Sequence, residues 1–279
     1  MAVVLTAGST LAWYIYNTNA HTTRVHMAAG STLSLEINNE YDETAYSKYG
    51  SSTVLESFNG ALTPVSTDKV VDNYGNVLFQ KVMQFATGAP GQPNSVAKFF
   101  GAAEVSDYYK TALYIRSGVE NTKIYVSNIG FSNDNSDQPI STAIRIGLVV
   151  HEAGRNQPIA GQYIFEIDDK PNVDSKGNDQ REYNTATGMQ GYVLDSTKHD
   201  GETIPFKPYT KSDFASYDEE TGEVTVGSAI CIYTLREADT PVQVDIYIWL
   251  EGCDEDCTLS LCNATLKDIA ISFAGVIED

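Results

Sequence analysis

The sequence predicts an all-β protein, a jelly roll or β-sandwich with long loop insertions and one or two short helices. Two observations predict this fold class. Nine or ten strand-like segments are separated by turn signals, and in several of them apolar residues recur at every second position, which is typical of half-buried strands. The composition is rich in tyrosine, with 17 in 279 residues, and Val, Ile and Thr are frequent, which favours strands over helices.

The predicted strands follow one another along most of the chain. Leu33–Asn38 alternates apolar and polar residues. In Val242–Leu250 the even-numbered residues are all apolar, whereas Tyr247 and Trp249 lie on the other face. The remaining predicted strands are Val77–Phe85, Ala112–Arg116, Lys123–Ile129, Ala143–His151, Gln162–Ile167, Glu223–Leu235 and Ile269–Phe273.

The connections between these strands include turns, two weak helical signals and two long loops. Ser117–Asn121 separates two neighbouring strands and predicts a hairpin. Asn94 is a capping-type residue, so Asn94–Val105 is predicted as a short helix, and Asp213–Tyr217 as a single helical turn. The long loop insertions are predicted at Tyr41–Asp72 and Asp168–Thr210.

The chain is strongly acidic, with 37 acidic against 18 basic residues and a net charge of −19. Such a surface repels a phosphate backbone, so a nucleic-acid partner is not expected. No segment is long and apolar enough to predict a stable membrane span.

The N-terminal segment Met1–Ala12, MAVVLTAGSTLA, is similar to the apolar region and cleavage site of a signal peptide. It predicts export to the extracellular space or the cell surface. On this interpretation residues 1–25 comprise a signal-peptide remnant and an N-terminal strand, and residues 26–279 form one sandwich domain. The alternative is an ordinary first strand, Leu11–Tyr16, after an apolar leader.

Three of the four cysteines lie within ten residues of one another, next to a run of acids. In an exported protein an even number of cysteines predicts disulfides, whereas in the cytosol the cluster would suggest a metal. The spacing is not C-x-x-C, and Asp254, Glu255 and Asp256 disfavour a reactive thiolate by like-charge repulsion. We therefore predict a disulfide-stapled acidic loop that could take up calcium weakly. The candidates are Cys231, Cys253, Cys257 and Cys262.

Other motifs predict neither catalysis nor a metal centre. His151-Glu152 begins like H-E-x-x-H, but Arg155 replaces the second histidine, and the polar end of a strand is the better interpretation. Asn172–Asp179 resembles a calcium loop, except that Lys176 occupies a ligand position. Asn133–Asp137 is interpreted as a solvated loop. We expect a protein that is not an enzyme and has no cofactor.

Three stretches carry a resemblance to a known family. They are GSTLAWYIYNTNAHTTRV (Gly8–Val25), STAIRIGLVV (Ser141–Val150), and YIWLEGCDEDC (Tyr247–Cys257) with the final strand LKDIAISFAG. Together they resemble the TasA/camelysin family of proteins exported by Gram-positive bacteria.

The resemblance implies a jelly-roll subunit that builds extracellular fibres of a biofilm matrix, in which the N-terminal strand of one subunit completes the sheet of the next. The partners would be other copies of the chain and other matrix components. The donor would lie within Ala12–Val25 or nearby residues. The candidate donor residues are Leu11, Ala12, Trp13, Tyr14, Ile15 and Tyr16. The alternative is that this strand pairs within its own sandwich.

Two other functions stay open at this point. A cell-surface adhesin or binding module would recognise glycan or protein through its long loops, with tyrosines as stacking platforms, although core and rim tyrosines are commoner. The tyrosines concerned are Tyr183, Tyr192, Tyr209 and Tyr217. A metalloprotease of the camelysin type would need zinc, for which the sequence has no recognisable motif.

Overall fold

The structure is a computed structural model. It describes residues 22–29, 35–42, 48–55, 62–86, 95–132, 140–167, 208–218, 220–221, 223–254, 257 and 268–277. No helix within these ranges has the length and apolar character needed to cross a membrane.

The described residues form fifteen strands and three short 3-10 turns. The strands are β1 (Thr22–Ala29), β2 (Leu35–Asn38), β3 (Ser52–Val54), β4 (Pro64–Ser66), β5 (Gln80–Ala86), β6 (Ser95–Ala102), β7 (Tyr109–Ser117), β8 (Thr122–Ser132), β9 (Ile144–Ala153), β10 (Ile159–Glu166), β11 (Ser216–Tyr217), β12 (Val224–Thr225), β13 (Cys231–Leu235), β14 (Val242–Glu251) and β15 (Asp268–Ile277). The 3-10 turns are Val105–Asp107, Ile140–Ala143 and Lys211–Asp213.

Two large sheets pack against each other. The five-stranded sheet has the order β13-β8-β15-β1-β3. The eight-stranded sheet runs β10-β9-β14 and then divides, because β7 pairs with Val242–Ile248 of β14 while β4 pairs with its last two residues. β2 continues one branch beside β7, and β5 and β6 continue the other. The short strands β11 and β12 pair with each other and form a separate two-stranded sheet.

From β7 to β15 the chain winds between the two sheets in the manner of a jelly roll. β7, β9, β10 and β14 belong to the eight-stranded sheet, and β8, β13 and β15 to the five-stranded sheet. The main core lies between them and is apolar, with Ile115, Ile246 and Phe273 among its fully buried residues. The predicted all-β sandwich is confirmed.

Among the described strands, two of the pairings are parallel, β1 with β15 and β4 with β14, and the others are antiparallel. β1 pairs with β15 through all eight of its residues, from Thr22 opposite Asp268 to Ala29 opposite Gly275. On its other side β1 pairs with β3 through three residues only.

The predicted hairpin at Ser117–Asn121 is wrong. β7 and β8 do not pair, because the connection between them crosses from one sheet to the other. Asn121 has a positive φ of 57°, and the hydroxyls of Ser117 and Thr122 contact each other at 3.0 Å inside the turn. A short polar gap in the sequence is therefore compatible with a crossing between sheets as well as with a hairpin.

The predicted helix at Asn94–Val105 is also wrong, since Ser95–Ala102 is β6 and pairs along β5. Tertiary pairing and β-favouring residues outweigh the capping signal of Asn94. Residues 211–213 form the turn expected near Asp213, but Ser216–Tyr217 is a strand. The long candidate strand Glu223–Leu235 is divided into β12 and β13 near Gly227, whose φ is +46°.

Candidate functional site

The most distinctive surface is the side of the eight-stranded sheet that faces away from the other sheet, called here the outer face. In β14 the even-numbered residues belong to the main core, whereas Tyr247 and Trp249 belong to a second cluster on the outer face. Both sides of this strand are therefore buried, whereas alternation in the sequence predicts only that Tyr247 and Trp249 face away from the even-numbered residues.

One end of the outer face is covered by residues 62–79, which we call the cover. Val65, Val70 and Phe79 of the cover are buried against Tyr247 and Trp249. The rings of Phe79 and Trp249 meet edge to face with centroids 4.9 Å apart. The cover closes this end of the face against water.

Gly147 of β9 makes this close packing possible. A Cβ atom there would lie 2.7 Å from a methyl carbon of Val70 and 3.1 Å from the ring of Trp249. A side chain at this position would push the cover away from the sheet.

Below the cover lies a buried ionic cluster. The guanidinium of Arg145 donates to Glu166 and to Asp254, both at 2.7 Å, and all three side chains are at most 1% exposed. Glu251 lies beside them and accepts hydrogen bonds from the indole of Trp249 at 3.1 Å and from the backbone N–H of Cys253 at 3.1 Å. These contacts fix the exit of β14 to β9 and β10.

The opposite end of the outer face is not closed by the cover, and we call it the open end. Its centre is the carboxylate of Asp245 on β14, which accepts from Gln243 at 2.6 Å and contacts His151 at 3.4 Å and Lys110 at 3.9 Å. Burial alone would raise the pKa of Asp245, but the hydrogen bonds from His151 and Gln243 outweigh it and lower the pKa.

His151 sits between two acceptors. Its Nδ1 lies 3.0 Å from the carbonyl oxygen of Gln157, and its Nε2 faces Asp245. Both contacts need a ring N–H, so only the imidazolium satisfies both. The hydrogen bond to Asp245 is the main cause that raises the pKa of His151.

Aromatic rings extend the open end beside this polar centre. Tyr41 and Tyr114 meet edge to face, with ring centroids 5.4 Å apart. The guanidinium of the exposed Arg155 lies 6.0 Å from the centroid of Tyr41, and the ammonium of Lys110 lies 5.1 Å from that of Tyr247. Burial raises the pKa of Tyr114, the charge of Asp245 acts in the same direction, and the charge of Arg155 opposes them.

The arrangement is suited to binding through hydrogen bonds and ring faces. The exposed donors Lys110 and Arg155 and the half-buried His151 and Tyr114 lie at this end of the face, and the carboxylate of Asp245 is buried among them. Across the part of the chain that the structure describes, no group of three or more His, Cys, Asp or Glu side chains is arranged to hold a metal ion.

Comparisons with protein-family models, with curated proteins and with solved structures find no match to this chain. The resemblance to the TasA/camelysin family therefore stays a prediction from three sequence stretches.

The candidate donor residues Leu11–Tyr16 lie outside the described residues, so their position stays a prediction. Residues 22–25 of the predicted N-terminal segment belong to β1, which continues to Ala29 within the five-stranded sheet. The predicted division of the chain between residues 25 and 26 falls inside this strand.

Cys231, Cys253 and Cys257 form no disulfide with one another. Cys231 lies on β13 in a cluster with Tyr125 and Ala215, whereas Cys253 packs against Val82 near the exit of β14. Cys257 belongs to the main core. The predicted link from Cys231 to the acidic loop is therefore not formed with Cys253 or Cys257, and Cys262 lies outside the described residues.

Asp254 of the acidic loop and Glu152 of the His151-Glu152 motif both form contacts within the fold. Asp254 binds Arg145, so its carboxylate is engaged by a buried cation, while Glu255 and Asp256 lie outside the described residues. His151 and Glu152 lie at the end of β9, as the interpretation of a polar strand end predicted. Glu152 accepts a hydrogen bond from the hydroxyl of Tyr233 at 2.9 Å.

Tyr209 occupies a rim position. Its backbone pairs with β10, and its ring lies 5.5 Å from that of Phe165 between centroids. Tyr217 lies on β11 and is half-buried. The loop motifs Asn133–Asp137 and Asn172–Asp179, with Tyr183 and Tyr192, lie outside the described residues.

Sequence reasoning missed the open end. Tyr114 on β7, Asp245 on β14 and Arg155 after β9 come from separate parts of the chain, and only the sheet register brings them together. One signal was available, because Gln243 and Asp245 are polar outward-facing residues in a strand whose next two outward residues are Tyr247 and Trp249.

Proposed function

We propose that this chain is an exported structural subunit that assembles into extracellular filaments, such as those of a biofilm matrix, by exchange of its N-terminal strand. The observation that carries the proposal is the parallel pairing of β1 with β15 through all eight residues of β1, the longer of the two parallel pairings among the described strands. The resemblance of the chain ends to the TasA/camelysin family supports the same function.

β1 is placed so that a second copy could supply it. Among the described strands its partners are β15, near the C-terminus, and three residues of β3. Its sequence neighbour β2 belongs to the other sheet, and residues 30–34 connect the two. A β1 strand from a neighbouring subunit would make the same main-chain hydrogen bonds to β15, so exchange needs no new register.

Such an exchange is directional. The donor strand of one subunit occupies the sheet of the next, and the two surfaces in contact are different. A contact of this kind that does not close into a ring propagates into a filament. The preceding residues Leu11–Tyr16, with Trp13 and Tyr14, would extend the donor and add aromatic anchors.

Electron microscopy of negatively stained protein at rising concentration tests this function. The full chain is expected to form filaments, and a variant lacking residues 1–29 is expected to form none. A variant lacking residues 1–21 retains β1 and measures what Leu11–Tyr16 adds. Filaments of unchanged form without residues 1–29, or a full chain that stays monomeric at every concentration, would overturn the proposal.

A further inference from the structure

β5 and β6 form a two-stranded arm at one end of the eight-stranded sheet. They pair through all seven residues of β5, and β4 joins them to the last two residues of β14. β9 pairs along the other side of β14, so the arm continues the sheet on the side of β7. The arm therefore stands beyond the start of β7, at the end of the sandwich where β14 exits.

β1 begins at this same end of the sandwich. It runs parallel to β15, so Thr22 lies beside Asp268, the first residue of β15. In the five-stranded sheet Asp268 is opposite the last residue of β8, and in the eight-stranded sheet the end of β14 is opposite the start of β9. Two connections, residues 133–143 and 252–267, join these positions. The chain before Thr22 therefore leaves the sandwich at the end where the arm stands.

The start of β1 is also on the arm's side of the sandwich. β3 pairs with β1, and Gly50, shortly before β3, bridges Ile37 of β2. β2 pairs with β7, on the side where the arm continues the sheet. Residues 17–21 span about 17 Å when fully extended, against a separation of about 10 Å between packed sheets. Leu11–Tyr16 is thus within reach of the arm.

The arm presents apolar surface and a strand edge at this place. Val82 of β5 packs against Cys253. Leu78, just before β5, is 40% exposed, and Phe100 of β6 is 58% exposed. Among the described strands β6 pairs with β5 alone, so it forms the edge of this branch of the sheet. An edge strand can accept a further extended segment through its main-chain groups.

Charge selects the N-terminal segment as the occupant. The chain has 37 acidic residues and a net charge of −19, yet residues 1–35 and residues 73–103 contain no Asp or Glu. These are the two longest stretches of the sequence without an acid, and they include Leu11–Tyr16 and the whole arm. Bodies of like charge repel each other, so a contact is least unfavourable where both partners lack acids.

We propose that Leu11–Tyr16 of the copy that supplies β1 docks on the arm of the sandwich that β1 completes, with its aromatic side chains against Leu78 and Phe100. That this copy is a neighbour rests on the proposed function, whereas docking on the arm does not. Buried aromatic anchors commonly dominate the energy of an interface. The arm would therefore hold the donor in addition to its pairing with β15.

Photo-cross-linking tests this docking. The full chain with p-benzoylphenylalanine in place of Tyr14 is mixed with ¹⁵N-labelled unaltered chain, irradiated under assembly conditions and digested for mass spectrometry. Products at Leu78, β5 or β6 are expected. Leu78→Glu and Phe100→Glu, introduced in both chains, are each expected to lower the yield of these products about tenfold, because an unpaired carboxylate is costly to bury.

Ile277→Glu is the matched control, because Ile277 is 38% exposed and is the last residue of β15, at the far end from the arm. It should leave the yield unchanged. Equal melting temperatures of the three variants show that none of them has lost the fold.

The isotope label separates this inference from the proposed function. Products that join a labelled arm to an unlabelled probe support both. Products within single chains alone support docking on the arm and contradict strand exchange. Products that lie elsewhere, no product at the arm, or equal yields in Phe100→Glu and Ile277→Glu would overturn the docking, whether or not filaments are seen by electron microscopy.

Discussion

β14 and β1 are both strands of the sandwich, but they differ in the number and direction of their pairings with neighbouring strands. β14 lies between antiparallel neighbours, β9 and β7, and nearly all its side chains are buried. β1 lies parallel to β15 at the N-terminal end of the described chain and touches β3 over three residues. Parallel pairs are slightly less stable per residue than antiparallel pairs.

This difference in pairing indicates that the stability of the sandwich depends on β14 more than on β1. β14 joins the two branches of the eight-stranded sheet and carries the residues that anchor the cover. Under the proposed function, β1 would be supplied by another copy, and the alternation of strands from β7 to β15 does not include it. Changes around β14 should therefore damage the fold, whereas changes to β1 should act on assembly.

The largest loss in the free energy of unfolding is expected from Arg145→Met. This substitution removes the cation between Glu166 and Asp254 beside β14. Two buried carboxylates would lose their shared donor, and breaking a buried ion pair in this way costs about 3–5 kcal/mol. Urea unfolding measures the loss in the free energy of unfolding.

The matched control replaces all three charges together, as Arg145→Met with Glu166→Met and Asp254→Leu. Since the two carboxylates that Arg145 contacts are removed together with it, this variant should be more stable than Arg145→Met alone. A cost below about 1 kcal/mol for Arg145→Met would show that the cluster does not anchor β14.

A smaller effect is expected from Gly147→Ala. The new methyl group would overlap Val70 and Trp249, and overpacking of this kind costs about 1–3 kcal/mol. Gly118→Ala serves as the control, because no atom within 4 Å would meet its Cβ. Thermal unfolding of both variants compares them, and equal melting temperatures would contradict the tight contact between cover and sheet.

The sequence predicts β14 better than it predicts its surroundings. Alternation of apolar residues in Val242–Leu250 is a local signal, and Tyr247 and Trp249 lie opposite the even-numbered residues as it predicts, whereas the burial of both faces depends on the cover. The crossing from β7 to β8 and the strand β6 depend on pairing between distant segments, which local propensity does not record. The open end is harder still, since Tyr114, His151 and Asp245 are neighbours only through sheet register.

The smallest effect on stability is expected from the contact between His151 and Asp245, and it depends on pH. The pKa of His151 is raised in the folded protein above its ordinary value of 6.5, so its stabilisation is fully present below about pH 6.5. It is lost as the pH rises through the folded pKa. Asp245, whose pKa is lowered, and Lys110, whose pKa is raised, keep their charges across this range.

The test is urea unfolding of the unaltered chain and His151→Gln from pH 5 to pH 9. We expect the difference in the free energy of unfolding to be at most about 1 kcal/mol at low pH and to shrink at high pH. In the Asp245→Asn background the pH dependence should be reduced. A difference that grows with pH would contradict the ionic contact.

The most direct measurement of the central claim is disulfide cross-linking between two single-cysteine substitutions, Arg24→Cys and Ala270→Cys, whose positions are register partners in β1 and β15. Differently tagged variants are mixed under assembly conditions and oxidised, with Arg24→Cys plus Ser228→Cys as the control pair. Strand exchange predicts a mixed covalent dimer that the control pair does not form. If the mixed dimer is absent while a chain carrying both substitutions cross-links only within itself, β1 belongs to its own sandwich and the filament proposal fails.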